Sequence, residues 1–187
     1  MTDGERGTPR MPRFEPAVAW DPRFLEGAPE LESIAKAAEL LREFERWPTV
    51  QELDARLSPF ARIHFEEQAP KKKHRRRRST PIDADSLYDG KITLEGVVPT
   101  RASSWHDLMN ALIWASFPNA KRALHRRQYA AARKRIGAPR ARLPGTRTAE
   151  EDALTMLDEG GELWLVTDDD MRARAEAGEG DALGAAR

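Results

Sequence analysis

One stretch constrains this chain more than any other. Between Trp105 and Phe117, nine of thirteen residues are apolar or alanine: Trp105, Leu108, Met109, Ala111, Leu112, Ile113, Trp114, Ala115 and Phe117. At 3.6 residues per turn they fall on every face, the pattern of a helix enclosed by protein rather than laid on a surface. Ser104 with Asp107 forms a capping-box-like start, and Pro118 closes the segment. His106, Asp107, Asn110 and Ser116 interrupt the run, which is also shorter than the roughly 20 residues of a membrane span. The sequence therefore predicts a buried central helix over about 104–117, with the rest of the domain built around it.

The flanking segments are more conventional. Leu31, Ile34, Ala38, Leu41 and Phe44 recur at helical spacing, which predicts an amphipathic helix over 30–46 that Pro48 ends. Thr49 and Glu52 make a capping-box pattern for a second helix reaching about Leu57. Ile63 and Phe65 alternate with charged neighbours as a short half-buried strand. Residues 83–96 fit a short helix or a strand equally, and Gly96 to Pro99 reads as a turn or an extended entry. Asn119 starts a basic helix over 119–136, and a Pro/Gly/Arg loop follows from Gly137 to Gly145. Thr148 with Glu151 is a helix-start pattern. However, Leu154 and Met156, then Asp158-Glu159-Gly160-Gly161, then Leu163-Trp164-Leu165-Val166 favour a small antiparallel hairpin over about 153–167.

The formal net charge is zero, but the charge is segregated. Residues 70–148 carry 19 basic and 5 acidic side chains, whereas 149–187 carry 3 basic and 12 acidic ones and 1–69 carry 9 and 14. Either the acidic ends neutralise the basic middle, or the basic middle faces a polyanion. Leu, Ile, Val and Phe number only 34 of 187, so a compact domain with polar tails is expected. The absence of cysteine removes disulfides, thiolate ligands and cysteine nucleophiles. The start of the chain lacks the apolar core of a signal peptide, and the expected location is cytoplasmic, with no membrane contact.

Several side chains are candidates for chemistry. His106, Asp107 and Asn110 ride on the core helix, where polar groups are costly to bury without partners. His106 would act as a base or ligand, with Asp107 orienting it. Each also has an ordinary explanation as a cap or loop tie. Asp152, at the expected start of the hairpin, joins them as the fourth catalytic candidate; Asp158 and Glu159 read as turn residues. Oxygen ligands with a histidine would suit magnesium or manganese better than zinc. Arg101, Arg126 and Arg127 are candidate anion-binding residues. His125 and Gln128, three apart on the basic helix, read as part of a solvated face. Lys71, Lys72, Lys73, Arg75, Arg76, Arg77 and Arg78 form a solvated basic run suited to phosphate contacts in nucleic acid. It has no interleaved aromatics for base stacking. Phosphate-loop, dinucleotide-glycine and nucleophile-elbow motifs are absent.

Val98-Pro99-Thr100-Arg101, the run Trp105-His106-Asp107-Leu108-Met109-Asn110-Ala111-Leu112-Ile113-Trp114, and Phe117-Pro118 together resemble the bacterial family known as domain of unknown function 3025. Asp152-Ala153-Leu154-Thr155 with Asp158-Glu159 resembles its second hallmark, so the likeness spans about 95–165. The chain departs from the pattern after Leu124, where His125 and Gln128 replace an Asn and a later His, and at Glu151, where the family often has Arg. The resemblance implies no activity, but it points to the positions already chosen on burial grounds.

The expected architecture is α+β: a mainly helical single domain over 14–177, with a tail at 1–13, a basic flexible loop at 70–81 and a frayed end at 178–187. Two functions are open. One is a metal-assisted hydrolase acting on a phosphorylated or nucleic-acid substrate through His106, Asp107, Asn110 and Asp152. The other is a non-catalytic protein whose basic loop and helix bind nucleic acid or an acidic protein. The oligomeric state is not legible.

Overall fold

The computed structural model describes residues 19–26, 28–68, 81–139, 142–143 and 145–160. A 3-10 turn, Pro29–Ile34, runs into the short helix α1 (Ala35–Glu39), followed by α2 (Val50–Ala61) and strand β1 (His64–Glu67). Helix α3 (Tyr88–Gly90) continues into a π-helical turn, Lys91–Glu95, and strand β2 (Val97–Thr100) follows. The chain then forms α4 (Trp105–Ser116), α5 (Pro118–Ile136) and α6 (Ala149–Gly160). The mainly helical α+β reading holds. Residues 30–46 are less regular than their periodicity predicts, a 3-10 turn and five residues of α-helix in place of one long helix.

Local chemistry starts the helices. Thr49 and Glu52 cap α2 reciprocally: the Thr49 side chain accepts from the Glu52 N–H at 3.2 Å, and Glu52 accepts from the Thr49 N–H at 2.7 Å. Arg46 adds two bonds to the same carboxylate and holds its pKa at about 2. Pro59 lies within α2 without ending it, and Arg62 ends it in the left-handed region at φ 55°.

Helices α2 and α4 pack face to face around Leu53, Leu57, Leu108, Ala111, Leu112 and Trp114, all buried. Phe65 and Val98 close the core from the strands. Each such Leu contributes about 1.5–3 kcal/mol through burial, so this cluster dominates folding. At the amino end of α4, Trp20, Phe24, Trp47 and Trp105 form an aromatic group with ring centroids 4.8 to 5.9 Å apart. The Trp20 indole N–H is satisfied by the Phe44 carbonyl at 2.6 Å. Helix α4 is thus central as predicted, though not enclosed throughout, because His106 and Phe117 face outward.

Two expectations are corrected. The sheet has two parallel strands, β1 and β2, with His64 opposite Val97 and Glu67 opposite Thr100; it is not an antiparallel hairpin at 153–167. Residues 149–160 are helical, and the remainder of the expected hairpin lies outside the described residues. The physical reason is the start of α6. The Thr148 side chain accepts from the Glu151 N–H at 3.2 Å, and Glu151 accepts from the Thr148 N–H at 2.9 Å. Glu150, Glu151 and Asp152 all lie in the first turn, where the helix dipole favours acids. Acidic side chains of α6 then meet cations of α5: Glu151 with Arg135 at 2.7 and 2.9 Å, Glu150 with Arg127 at 3.1 Å, and Asp158 with Lys121.

Gly90 sits where α3 folds back over its own entry. A methyl group there would be driven into the backbone carbonyl oxygens of Ala84 and Asp85. Alanine ordinarily stabilises a helical glycine position by about 1 kcal/mol, but backbone cannot step aside. We expect Gly90→Ala to lower unfolding stability by about 1–3 kcal/mol in urea titration; unchanged or raised stability would refute this packing.

Burial raises the pKa of Glu151, yet the Thr148 N–H and hydroxyl and the Arg135 guanidinium outweigh it, and the carboxyl ends below its usual 4.5. A lowered folded-state pKa adds stability above the unfolded value and loses it as pH falls through the folded value. The stability gap between wild type and Glu151→Gln should therefore be constant above about pH 5 and shrink at lower pH. A gap that widened on acidification would contradict the assignment.

Candidate anion-binding site

The residues proposed from sequence do not gather at one place. His106 is exposed on the first turn of α4. Asp107 is tied to Arg101: one carboxylate oxygen accepts from the Arg101 backbone N–H at 2.6 Å and from Nε at 3.0 Å, and the other accepts from Nη2 at 2.8 Å. Burial raises the Asp107 pKa, but these bonds more than reverse it, and the net direction is down. Such a bidentate clamp holds the end of β2 against the start of α4 and occupies Arg101. Asn110 donates to the Tyr88 hydroxyl at 3.3 Å. Asp152 is exposed in the first turn of α6, a position that the helix dipole alone accounts for. No hydrogen bond among the described residues joins these four to one another. No group of three or more His, Asp or Glu side chains among the described residues stands together as a metal set.

The sequence reading of His125 and Gln128 as a solvated face is overturned, since both are buried on α5. His125 is 1% exposed, and its Nδ1 lies 2.9 Å from Asp89 Oδ1, a pairing in which Nδ1–H donates to the carboxylate. Its ring stacks on Trp114 at 5.3 Å, nearly parallel, and Tyr88 meets it edge-on at 5.8 Å. The Tyr88 phenol is held above its ordinary pKa, first by desolvation and then by the Asp158, Asp107 and Asp89 carboxylates, while Asn110 opposes the shift. Lys121, 7% exposed, pairs with Asp158 and stands 5.9 Å from the centre of the Trp114 ring. Together these contacts fix α5 against α3, α4 and α6. A signal was present: His125, Tyr129, Ala132 and Ile136 recur at helical spacing, but seven basic residues on the same helix masked it.

The pairing with α6 divides six of the seven cations of α5; the seventh, Lys134, is exposed and forms no ion pair among the described residues. Lys121, Arg127 and Arg135 lie on one side of the helix and meet Asp158, Glu150 and Glu151. Arg122, Arg126 and Arg133 fall along a stripe on the opposite side and form no ion pair among the described residues. Arg127, a predicted anion ligand, is thus matched by Glu150, whereas Arg126 is not. The basic run Lys71 to Arg78 lies outside the described residues.

The uncovered stripe ends at a cavity of about 160 Å³ lined by Arg62, Ile63, Ile92, Thr93, Gly96, Trp114, Arg122 and Arg126. No carboxylate of the described residues borders it. Arg122 donates to the Arg62 carbonyl, which joins the end of α2 to α5. Two of the lining residues hold a buried polar atom with no partner among the described residues, Trp114 Nε1 and Thr93 Oγ1. An unmade hydrogen bond of this kind costs about 1–3 kcal/mol. The indole N–H only donates, so the group it lacks is an acceptor. The sequence reading named Arg126 here but missed Arg62, Thr93, Trp114 and Arg122, which come from four separate elements.

No helix of the described residues is long and apolar enough to cross a membrane. Comparison with curated proteins and with solved structures returns no match. A comparison with protein-family profiles matches residues 76–181 to the family described as "Protein of unknown function (DUF3025)". The match takes in α3, β2, α4, α5 and α6, and with them every lining residue of the cavity except Arg62 and Ile63. Over half its length, then, this chain belongs to the DUF3025 family.

Proposed function

We propose that the protein binds nucleic acid through the stripe of α5 that α6 leaves uncovered. The observation that carries this reading is the asymmetry of charge matching along one helix: Lys121, Arg127 and Arg135 each meet an acid, and Arg122, Arg126 and Arg133 do not. Arg133, in the last turn, is favoured by the helix dipole in any case. Arg122 has no such reason, since it follows closely on the amino end, where a cation is disfavoured and the first turn holds no acid. Guanidinium groups aligned on one helix face are suited to bidentate phosphate contact.

An acidic protein partner is the weaker fit. Beside the three arginines stand Asn119, Ala123 and Ala130, all exposed, and Tyr129 on the same stripe is buried, so no exposed large apolar or aromatic side chain on this face is there to anchor a protein interface. A phosphate backbone needs no such anchor. The sequence also holds a basic run at 71–78, seven cations in eight positions, a composition suited to phosphate contacts.

The test is fluorescence anisotropy with a labelled single-stranded oligonucleotide across a salt series. Changing Arg122, Arg126 and Arg133 together to Ala should weaken binding and lower the slope of log affinity against log salt by about 2, as expected for three lost phosphate contacts. Arg127→Ala, which removes a cation already matched by Glu150, should leave the slope unchanged. Wild-type affinity and slope in the triple variant would refute the proposal. Displacement by poly-glutamate as efficient as by unlabelled oligonucleotide would point to an acidic protein instead.

A further inference from the structure

We infer that the cavity at the end of the stripe is a seat for a terminal phosphate monoester, so that the protein reads a phosphorylated strand end. This rests on the nucleic-acid reading and adds to it which part of the strand is held. Three features of the cavity argue for a terminal group. Its volume of about 160 Å³ falls short of the roughly 300–1,000 Å³ that enclose a whole small molecule. That is room for a phosphate group but not for a nucleoside. Its inner residues, Ile63, Ile92 and Trp114, are 5%, 4% and 0% exposed, so the space ends against the core. An internal phosphodiester has chain on both sides and cannot dead-end there, whereas a terminal group can.

The chemistry of the lining agrees. Arg62, Arg122 and Arg126 bring three positive charges, and no acid among the described residues borders the space. A phosphomonoester carries about −1.5 to −2 charges near neutral pH, more than the single charge of an internal phosphodiester. Trp114 and Thr93, which line the cavity, hold Nε1 and Oγ1 buried without partners among the described residues, and phosphate oxygens are acceptors that could serve both. Gly96, whose φ of 69° requires the left-handed region, has nothing within 4 Å of where a side chain would project, so the strand-side wall stays open.

The experiment compares one labelled oligonucleotide in three forms, with a 5′-phosphate, a 3′-phosphate or hydroxyls at both ends, at fixed salt. Wild type should bind one phosphorylated form at least about ten-fold tighter than the hydroxyl form. Arg62→Asn keeps a residue tolerant of the left-handed backbone, and Thr93→Val keeps the shape; each should reduce that preference while hydroxyl-ended binding stays within about two-fold. Urea titration checks that both variants fold, and Thr93→Val carries the test if Arg62→Asn does not. Equal affinity for all three forms, or a preference intact in both variants, overturns the inference and leaves the stripe reading standing. Failure to bind any oligonucleotide sinks the stripe reading. In that case calorimetry with inorganic phosphate decides the pocket: saturable binding lost in the variants supports it, and no binding overturns it.

Discussion

A helix of 19 residues carrying seven cations can pack into a protein only if part of its charge is matched. In this fold the acidic helix α6 provides that match. Lys121 is buried with Asp158, and Arg135 lies nearly buried against Glu151. Buried pairs of this sort add little net stability over apolar replacements, but breaking one by removing a partner costs about 3–5 kcal/mol. They fix which way α5 is turned. With Lys121 and Arg135 committed to α6, the rotation of α5 is set: His125, Tyr129 and Ile136 go inward, and Arg122 and Arg126 go to the cavity rim.

The rest of the arrangement follows from that rotation. His125 meets Asp89 and stacks on Trp114, which ties α3 and α4 to α5. The π-helical turn after α3 then places Thr93 beside Trp114 at the cavity. Arg122 reaches the carbonyl of Arg62 and brings the end of α2 to the same point. The cavity is thus assembled from the junction of α2, the π-helical turn, α4 and α5, and its positive character is what remains after α6 has neutralised the other side.

What the sequence made legible was local. The Thr49–Glu52 box, the Ser104 start of α4 and the proline between α4 and α5 all act within a few residues, and each stands in the structure. The apolar run of α4 announced the core. Non-local matters were hidden. The partner of β1 lies far along the chain and runs parallel to it, which no turn motif signals. The region after Thr148 offered a capping box and a glycine pair, and the contact with α5 favours the helix. His106 and Asn110 were selected as polar groups on an apolar helix, but one faces solvent and the other, among the described residues, donates to Tyr88. His125 was hidden by its cationic neighbours although its spacing was that of a buried stripe. Of the two readings of the charge segregation, the ion pairs between α5 and α6 bear out the first in part: acids neutralise some of the basic middle.

The most direct test of this account is the arginine Nε–Hε correlation spectrum of the whole protein, titrated with a single-stranded oligonucleotide. Signals of Arg122, Arg126 and Arg133 should shift with saturation, while those of Arg127 and Arg135, held by Glu150 and Glu151, stay in place. Shifts centred on Arg127 and Arg135, or equal small shifts at every arginine, would show that α6 does not partition the charge of α5 in the way described.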